Sequence, residues 1–412
     1  MLRWTEPEIG QGLIDSLLSL SEYTKGRYNY ATALASYSQL GPTMPTLEAI
    51  MDKLEQVGKG IGQISGYQGE YLGGIYQALT CAARIAQGDQ LTYNERVKQL
   101  QQLDCQMIPQ ENMNLLRENI DCSLTDMGYK GKFNEKILQW LNETVIPADE
   151  VTKVARLYID RSKKDTLAYV VDLPEDDGID DIHGVNGVFW SGFSRYNGQF
   201  RGTLHFNLDR PWSVPTFVNI LCHEGYPGHQ AFYCRWDYLY QQDRWPLEAA
   251  YYAYNTPTNA LFEGGPELGL HALGWDDLSI ETEGISMDKK KIFALGRQII
   301  DLQRMYQTNA CFLVNTYQAS QQEGIHYMLD SGIFSEVEAI NAYRFFTDPI
   351  KSTYYPGYYY GRWMILKAYE QFAPDKRKNF FRILYDTPHT TNTFIKAIAE
   401  ETGQEFKPFS GI

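Results

Sequence analysis

The segment WSVPTFVNILCHEGYPGHQAFY, residues 212–233, restricts what this 412-residue chain can fold into more than any other stretch. Ser213 can cap a helix, and Pro215 in the first turn costs little because its position has no intrahelical N–H partner. Val214, Phe217, Val218, Leu221 and Cys222 then line one apolar stripe, so the helix has to be buried. It runs into His223 and Glu224, and His229 follows six residues after His223 (229 − 223 = 6). Burying two imidazoles and a carboxylate together is costly unless a cation or a hydrogen-bond network compensates them. The fold must therefore wrap this helix end and supply the compensation.

In the ordinary zinc-protease helix His-Glu-x-x-His, the i, i+4 spacing puts both imidazoles on one face. Six steps of ~100° turn through ~240°, which would point them apart. Pro227 cannot donate to the carbonyl of His223, and Gly228 tolerates backbone angles closed to other residues. The spacing thus predicts a break or bulge at Pro227-Gly228 that swings His229 back beside His223. A third ligand should come from a following helix. The mostly apolar run 259–271 offers Glu263, Glu267 and His271 at i, i+4 and i+8.

Charge and composition narrow the partners. Lys plus Arg number 37 against 51 Asp plus Glu, a net −14, with no basic run longer than Lys289-Lys290-Lys291. Nucleic acid is therefore not an expected partner. No stretch approaches the ~18–20 consecutive apolar residues of a membrane helix, and the first residues lack the apolar core of a signal peptide. The six scattered cysteines include no Cys-x-x-Cys pair, so neither a disulfide scaffold nor a thiolate zinc site is expected. These features point to a cytoplasmic protein with no membrane partner. The 30 tyrosines suit a wet, walled cleft as well as they suit a large core.

Along the chain, residues 1–167 read as a helical region. Leu47, Ile50, Met51, Leu54 and Val57 repeat at helical spacing, as do Tyr71, Ile75, Ala78 and Leu79, and Leu138, Leu141 and Val145. Gly58-Lys59-Gly60 and the stretch 128–131 (GYKG) read as breaks. Residues 168–412 form a second region: a small sheet over 168–208, metal helices over 213–275 and helices again over 285–412. Within the sheet, residues 168–173 (AYVVDL) read as a β-like run and 174–181 (PEDDGIDD) as an acidic linker. A hairpin is expected with strands at Val188-Phe189-Trp190 and 202–208 around Tyr196-Asn197-Gly198-Gln199. The strand Thr203–Asn207 could then be an edge to which an extended peptide adds.

Taken together, these residues resemble a known family. His223–His229 (HEGYPGH) resembles the His-Glu-x-x-Pro-Gly-His-His signature of the bacterial domain-of-unknown-function-885 proteins, which are similar to zincin metallopeptidases. Phe262–Glu267 sits where that family carries a Glu-Gly-Trp-Ala segment, and Glu323–His326 resembles its Gly-x-His element. Phe334–Ile340 resembles its Trp-Ser-x-x-x-Ala-Ile, and Tyr355–Gly361 its Pro-Gly…Tyr-x-x-Gly. The last element is also similar to one in the thermostable carboxypeptidase Taq group. The likeness spans residues 185–367. Gln230 replaces the second histidine of the pair, and Gly265-Pro266 replace Trp-Ala.

The resemblance implies a mainly α, zincin-like metallopeptidase fold, with a small antiparallel sheet beside the metal-binding helix. It implies one Zn²⁺ held by His223, His229 and Glu263, with a fourth position open for a water made acidic by the ion. Glu224 would be the general base, and Tyr358 or His326 the donor to the oxyanion. Arg362, Tyr359 and Tyr360 are candidate substrate-binding residues, and Glu267 and His271 candidate supports for a ligand imidazole. The expected activity is zinc-dependent hydrolysis of short peptides. Two other readings stay open: a metal-dependent amidase acting on a non-peptide amide, and a catalytically silent helical binding protein. Oligomeric state is not legible in the sequence.

Overall fold

A computed structural model of the chain describes residues 5–25, 31–33, 40–348 and 351–410. The protein is mainly helical. Its first half comprises α1 (Pro7–Tyr23), β1 (Ala31–Ala33), α2 (Leu47–Ile61), α3 (Gly66–Gln87), α4 (Tyr93–Gln101), α5 (Gln110–Asp126), α6 (Phe133–Glu143), β2 (Val145–Ile146) and α7 (Val151–Tyr169). The expected faces of α2 and α3 point into the core. On α6 the expected face is wrong. Leu138 and Val145 are exposed, while Phe133, Ile137 and Trp140 are buried. The expected break at Gly58-Lys59-Gly60 is absent too, because α2 runs through it. A Cβ on Gly58 would lie 2.5 Å from the Tyr76 hydroxyl, so this glycine serves helix packing rather than a turn.

A three-stranded sheet follows, made of β3 (Gly178–Val185), β4 (Gly192–Gly198) and β5 (Arg201–Asn207) in the order β3-β5-β4. It corrects the sequence reading in four ways. The run 168–173 is not a strand: α7 extends to Tyr169, and the Val170 and Val171 N–H groups both close on the Thr166 carbonyl. The second half of the acidic stretch is not linker but strand β3. The sheet is mixed, since β3 runs parallel to β5 and only β4–β5 is antiparallel. Lastly, β5 is the central strand, so Thr203–Asn207 offers no free edge; the edges are β3, which packs on α7, and β4, which packs on α8 and α9. A hairpin exists, but its first strand is Gly192–Gly198 rather than the expected Val188-Phe189-Trp190, and its turn falls later than Asn-Gly predicts. Gly198, Gln199 and Phe200 all have positive φ, and the Phe200 N–H donates to the Tyr196 hydroxyl at 3.0 Å.

The chain then makes β6 (Trp212–Ser213), paired with β2, and the helices α8 (Val214–Glu224) and α9 (His229–Gln241). Strand β7 (Tyr251–Ala253) pairs with β1, and α10 (Asn259–Glu267) and α11 (Gly269–Ala272) follow. The remaining helices are α12 (Met287–Asn315), α13 (Gln321–Leu329), α14 (Glu336–Thr347), α15 (Lys351–Tyr354), α16 (Arg362–Glu370), α17 (Arg377–Asp386) and α18 (Thr391–Thr402). A π-helical turn, Gly357–Gly361, joins α15 to α16. One apolar cluster extends from Leu13 to Phe406, so both halves of the chain share a core. No described helix is long and apolar enough to cross a membrane.

The sheet is locked to α9 by Asp177, whose side chain is fully buried. Its Oδ1 accepts from the Tyr226 hydroxyl (2.9 Å), the Cys234 thiol (2.9 Å) and Gln230 Nε2 (3.2 Å), and Lys163 Nζ lies 3.2 Å from Oδ2. Asp177→Ala would strand a cation and three donors, an expected loss of about 3–5 kcal/mol. Urea unfolding measures it against Asp181→Ala, an exposed site expected within about 0.5 kcal/mol of wild type. Equal losses for both variants would refute the role given to Asp177.

Candidate metal centre

Helix α8 ends at Glu224 because Gly225 leaves helical space, with φ −99° and ψ −106°. The chain then doubles back, and the Gly228 N–H donates to the Cys222 carbonyl at 3.0 Å. A Cβ on Gly228 would stand 1.8 Å from the His223 carbonyl oxygen, so only glycine fits there. The two extra residues are absorbed in this reversal. As the spacing predicts, His229 returns to His223, with ring centroids 4.7 Å apart and planes at 88°.

Glu263 reaches the pair from α10. A Cβ on Gly361 would lie 2.2 Å from the Ala260 carbonyl, and one on Gly264 would lie 2.4 Å from the Gly361 carbonyl carbon. Helix α10 and the π-helical turn therefore touch backbone to backbone. Gly265, where the resembled family has a tryptophan, leaves room for the Phe232 ring, which a Cβ would meet at 2.7 Å. His223 Nε2 lies 3.3 Å from Glu263 Oε2, and His229 Nε2 lies 3.7 Å from Oε1. One candidate ligand atom from each of the three buried residues falls within 4.8 Å of the others.

A second layer holds these groups. His223 Nδ1 is 3.6 Å from Glu267 Oε1, which Arg304 binds at 2.7 Å, while Arg297 reaches Oε2 at 3.2 Å. Asp301 pairs with Arg297 and with Arg362. The Tyr354 hydroxyl donates to Glu263 Oε1 and accepts from the Tyr252 hydroxyl at 3.3 Å. Tyr358 is hydrogen-bonded to Tyr354, its ring lies 6.4 Å from that of His223, and Arg304 sits over its face at 4.4 Å. Glu224 packs against Gly192 of β4, and the Ser194 backbone N–H donates to its carboxylate.

Burial and charge set the protonation states. Burial pushes the Glu224 carboxyl up to about 7, against the pull of His223. Burial holds the His229 imidazole down to about 3. For His223, burial works against protonation, but the close approach of the Glu263 carboxylate and the charges of Glu224 and Glu267 override it and raise its value. Burial likewise opposes ionisation of Glu263 and Glu267, yet the imidazoles lower the first and Arg304 and Arg297 the second. Three arginines (297, 304 and 362) face two carboxylates, Glu267 and Asp301. Glu224 and Glu263 are left to a single imidazolium, or to a cation.

A divalent cation fits this arrangement. His229 is neutral and Glu263 ionised, as ligands must be, and a bound cation would replace the proton that the carboxylates favour on His223. Glu263 Oε2 and the Nδ1 atoms of both histidines are buried without a protein hydrogen-bond partner. Two imidazoles and a carboxylate form a set that suits zinc. The metal-free protein also carries a testable signature. Between the ordinary 4.5 and about 7, folded Glu224 holds a proton that the unfolded chain has released. Its contribution is thus full below about pH 4.5 and is lost as pH rises to about 7. Subtracting the pH–stability curve of metal-free Glu224→Gln from that of metal-free wild type isolates this slope. A flat difference from pH 5 to 8 would contradict it.

The other expected site residues are distributed differently. Tyr358 faces the centre, and Glu267 supports His223. His326 does not reach it: it is exposed on α13, where its neighbour Glu323 forms a capping box with Ser320. Tyr360 is spent on the backbone of Gln106, Tyr359 stacks on Trp363, and Arg362 is paired with Asp301 at 3.0 Å. His271 binds Asp276 at 2.9 Å, away from the ligands. Gln230 turns toward Asp177 and the sheet, leaving His229 as the histidine that meets His223. The sequence reading missed Tyr354, Tyr252, Arg297 and Arg304. Among 30 tyrosines, only the position of Tyr354 just before the Tyr355–Gly361 element marks it.

No protein-family model matches the chain, and no curated protein matches it in sequence. In fold it is similar to a crystal structure described as “the putative lipoprotein from Colwellia psychrerythraea”, with a TM-score of 0.61. Sequence identity is 15%, over 93% of this chain and 68% of that one. At that identity the likeness is one of fold alone.

Proposed function

We propose that the chain is a zincin-type metallopeptidase that cleaves amide bonds of short peptides. The observation that carries this reading is the buried convergence of His223, His229 and Glu263, with Glu224 alongside them and outside the ligand set. Zinc bound by those three residues supplies Lewis acidity and an acidified water. Glu224, pushed up to about 7, is suited to take a proton near neutral pH and hand it to the leaving amine. A bound cation would lower its value somewhat, keeping the base ionised. Tyr358 is the donor placed to meet negative charge developing on a scissile carbonyl, while Tyr354 and Glu267 hold Glu263 and His223.

The edge strand β4 supports a peptide as substrate. Its Ser194 N–H already faces Glu224, so an extended chain added along that edge would pass the general base. The test is tight zinc stoichiometry by elemental analysis after purification without chelators, followed by a peptide-library hydrolysis screen. About one tightly held zinc is expected in wild type and none in His223→Ala/His229→Ala. Absence of tight zinc from wild type after zinc is restored would overturn the proposal.

A further inference from the structure

Two more of the seven histidines meet outside this centre. His183 of β3 and His205 of β5 are direct partners in the parallel ladder, and Phe193 of β4 is the partner of His205 on the other side. Their neighbours Ile182, Leu204 and Ser194 are buried, so His183, His205 and Phe193 form one row on the outer face of the sheet. The imidazole centroids are 5.3 Å apart with planes at 30°, and Phe193 packs on His205 at 6.3 Å. His183 is exposed and His205 half-buried.

We infer that His183 and His205 form a second, solvent-facing site for a transition-metal dication such as zinc. Two ring nitrogens, each ~2.1 Å from one ion in tetrahedral geometry, put the ring centres about 5 Å apart, close to the separation found. The ladder fixes the strand spacing and Phe193 limits rotation of His205, so little ordering remains on binding. Burial, His183 and Arg195 all lower the His205 value, which keeps that imidazole neutral and able to coordinate at neutral pH. Asp181 and Arg195, exposed on either side of Thr203, are charged groups on the same face one pleat from the row. Asp181 favours a cation and Arg195 opposes it. Water would complete the shell, so the site should exchange metal faster than the buried centre.

The site lies on the opposite face of the sheet from Glu224 and does not depend on the proposed hydrolytic centre. The test is a calorimetric titration of the chelator-stripped full chain with zinc chloride at pH 7.5. Wild type should show a weak equivalent that is retained in His223→Ala/His229→Ala. His183→Phe and His205→Phe, which keep a ring in the row, should each weaken it at least ~10-fold while sparing any tight equivalent. An isotherm for His183→Phe that superimposes on wild type would overturn the inference, as would no weak equivalent up to about 1 mM free zinc. Loss of the tight equivalent alone would count against the hydrolytic centre and leave this site standing.

Discussion

Glu224→Gln protein should hold zinc as wild type does and hydrolyse peptides about 10²–10⁴-fold more slowly, the range for a positioned general acid–base. The substitution is nearly isosteric, so contact with Gly192 and the bond from Ser194 can persist. What it removes is the ability to accept a proton. Glu224 lies outside the cluster of His223, His229 and Glu263, so zinc content should not change. Hydrolysis at the wild-type rate would eliminate Glu224 as the base. Loss of zinc together with activity would instead make Glu224 a ligand, and the order of roles would have to be redrawn.

Gly228→Ala should be the most damaging single-methyl change near the site. The added Cβ would fall 1.8 Å from the His223 carbonyl oxygen and 2.5 Å from that of Cys222. Both obstacles are backbone, so no rotamer change relieves the clash. The reversal after α8 must open, at a cost of about 3–5 kcal/mol, and His229 moves off His223. Denaturation midpoints and zinc content read the two consequences separately. Gly41→Ala is the control, because nothing lies within 4 Å of its Cβ position, and it should stay within about 0.5 kcal/mol of wild type. A Gly228→Ala protein as stable and as zinc-loaded as wild type would show that the six-residue spacing does not depend on this glycine.

Much of the centre was legible because its residues are close in sequence and chemically expensive to bury. Pro227 and Gly228 announce a break, and His223 and His229 can share a site only if that break turns the chain back. Glu263 and Glu267 stand out as carboxylates in an apolar run. Two elements of the family resemblance have a plainer local meaning. Glu323 and Glu338 close capping boxes with Ser320 and Ser335, so these segments mark helix starts and bring His326 no nearer to the candidate metal ligands.

The errors have a common cause. Leu138, Leu141 and Val145 satisfy a helical period, but a period does not say which face the neighbours cover, and Phe133, Ile137 and Trp140 fill the core instead. The sheet shows the same limit. Hairpin chemistry predicted an antiparallel partner for β5 but placed it at 188–190 rather than 192–198, and the parallel partner β3 arrives from an acidic stretch whose buried Asp177 is compensated by Lys163, Tyr226, Gln230 and Cys234. No local pattern encodes such compensation.

By itself the sequence determined a mainly helical chain, the helix ending at Glu224, the break at Pro227-Gly228 and the return of His229. These follow from backbone sterics and from the cost of burying ionisable groups, both of which act within a few residues. Tertiary structure alone decided that Tyr354 and Tyr358, rather than His326, stand over Glu263, and that Arg297 and Arg304 hold Glu267. It also decided that β5 is the central strand and that β4 is the edge strand beside Glu224. Those outcomes depend on backbone contact at Gly264 and Gly361 and on charge balance among helices distant in sequence, which are set only when the whole core closes.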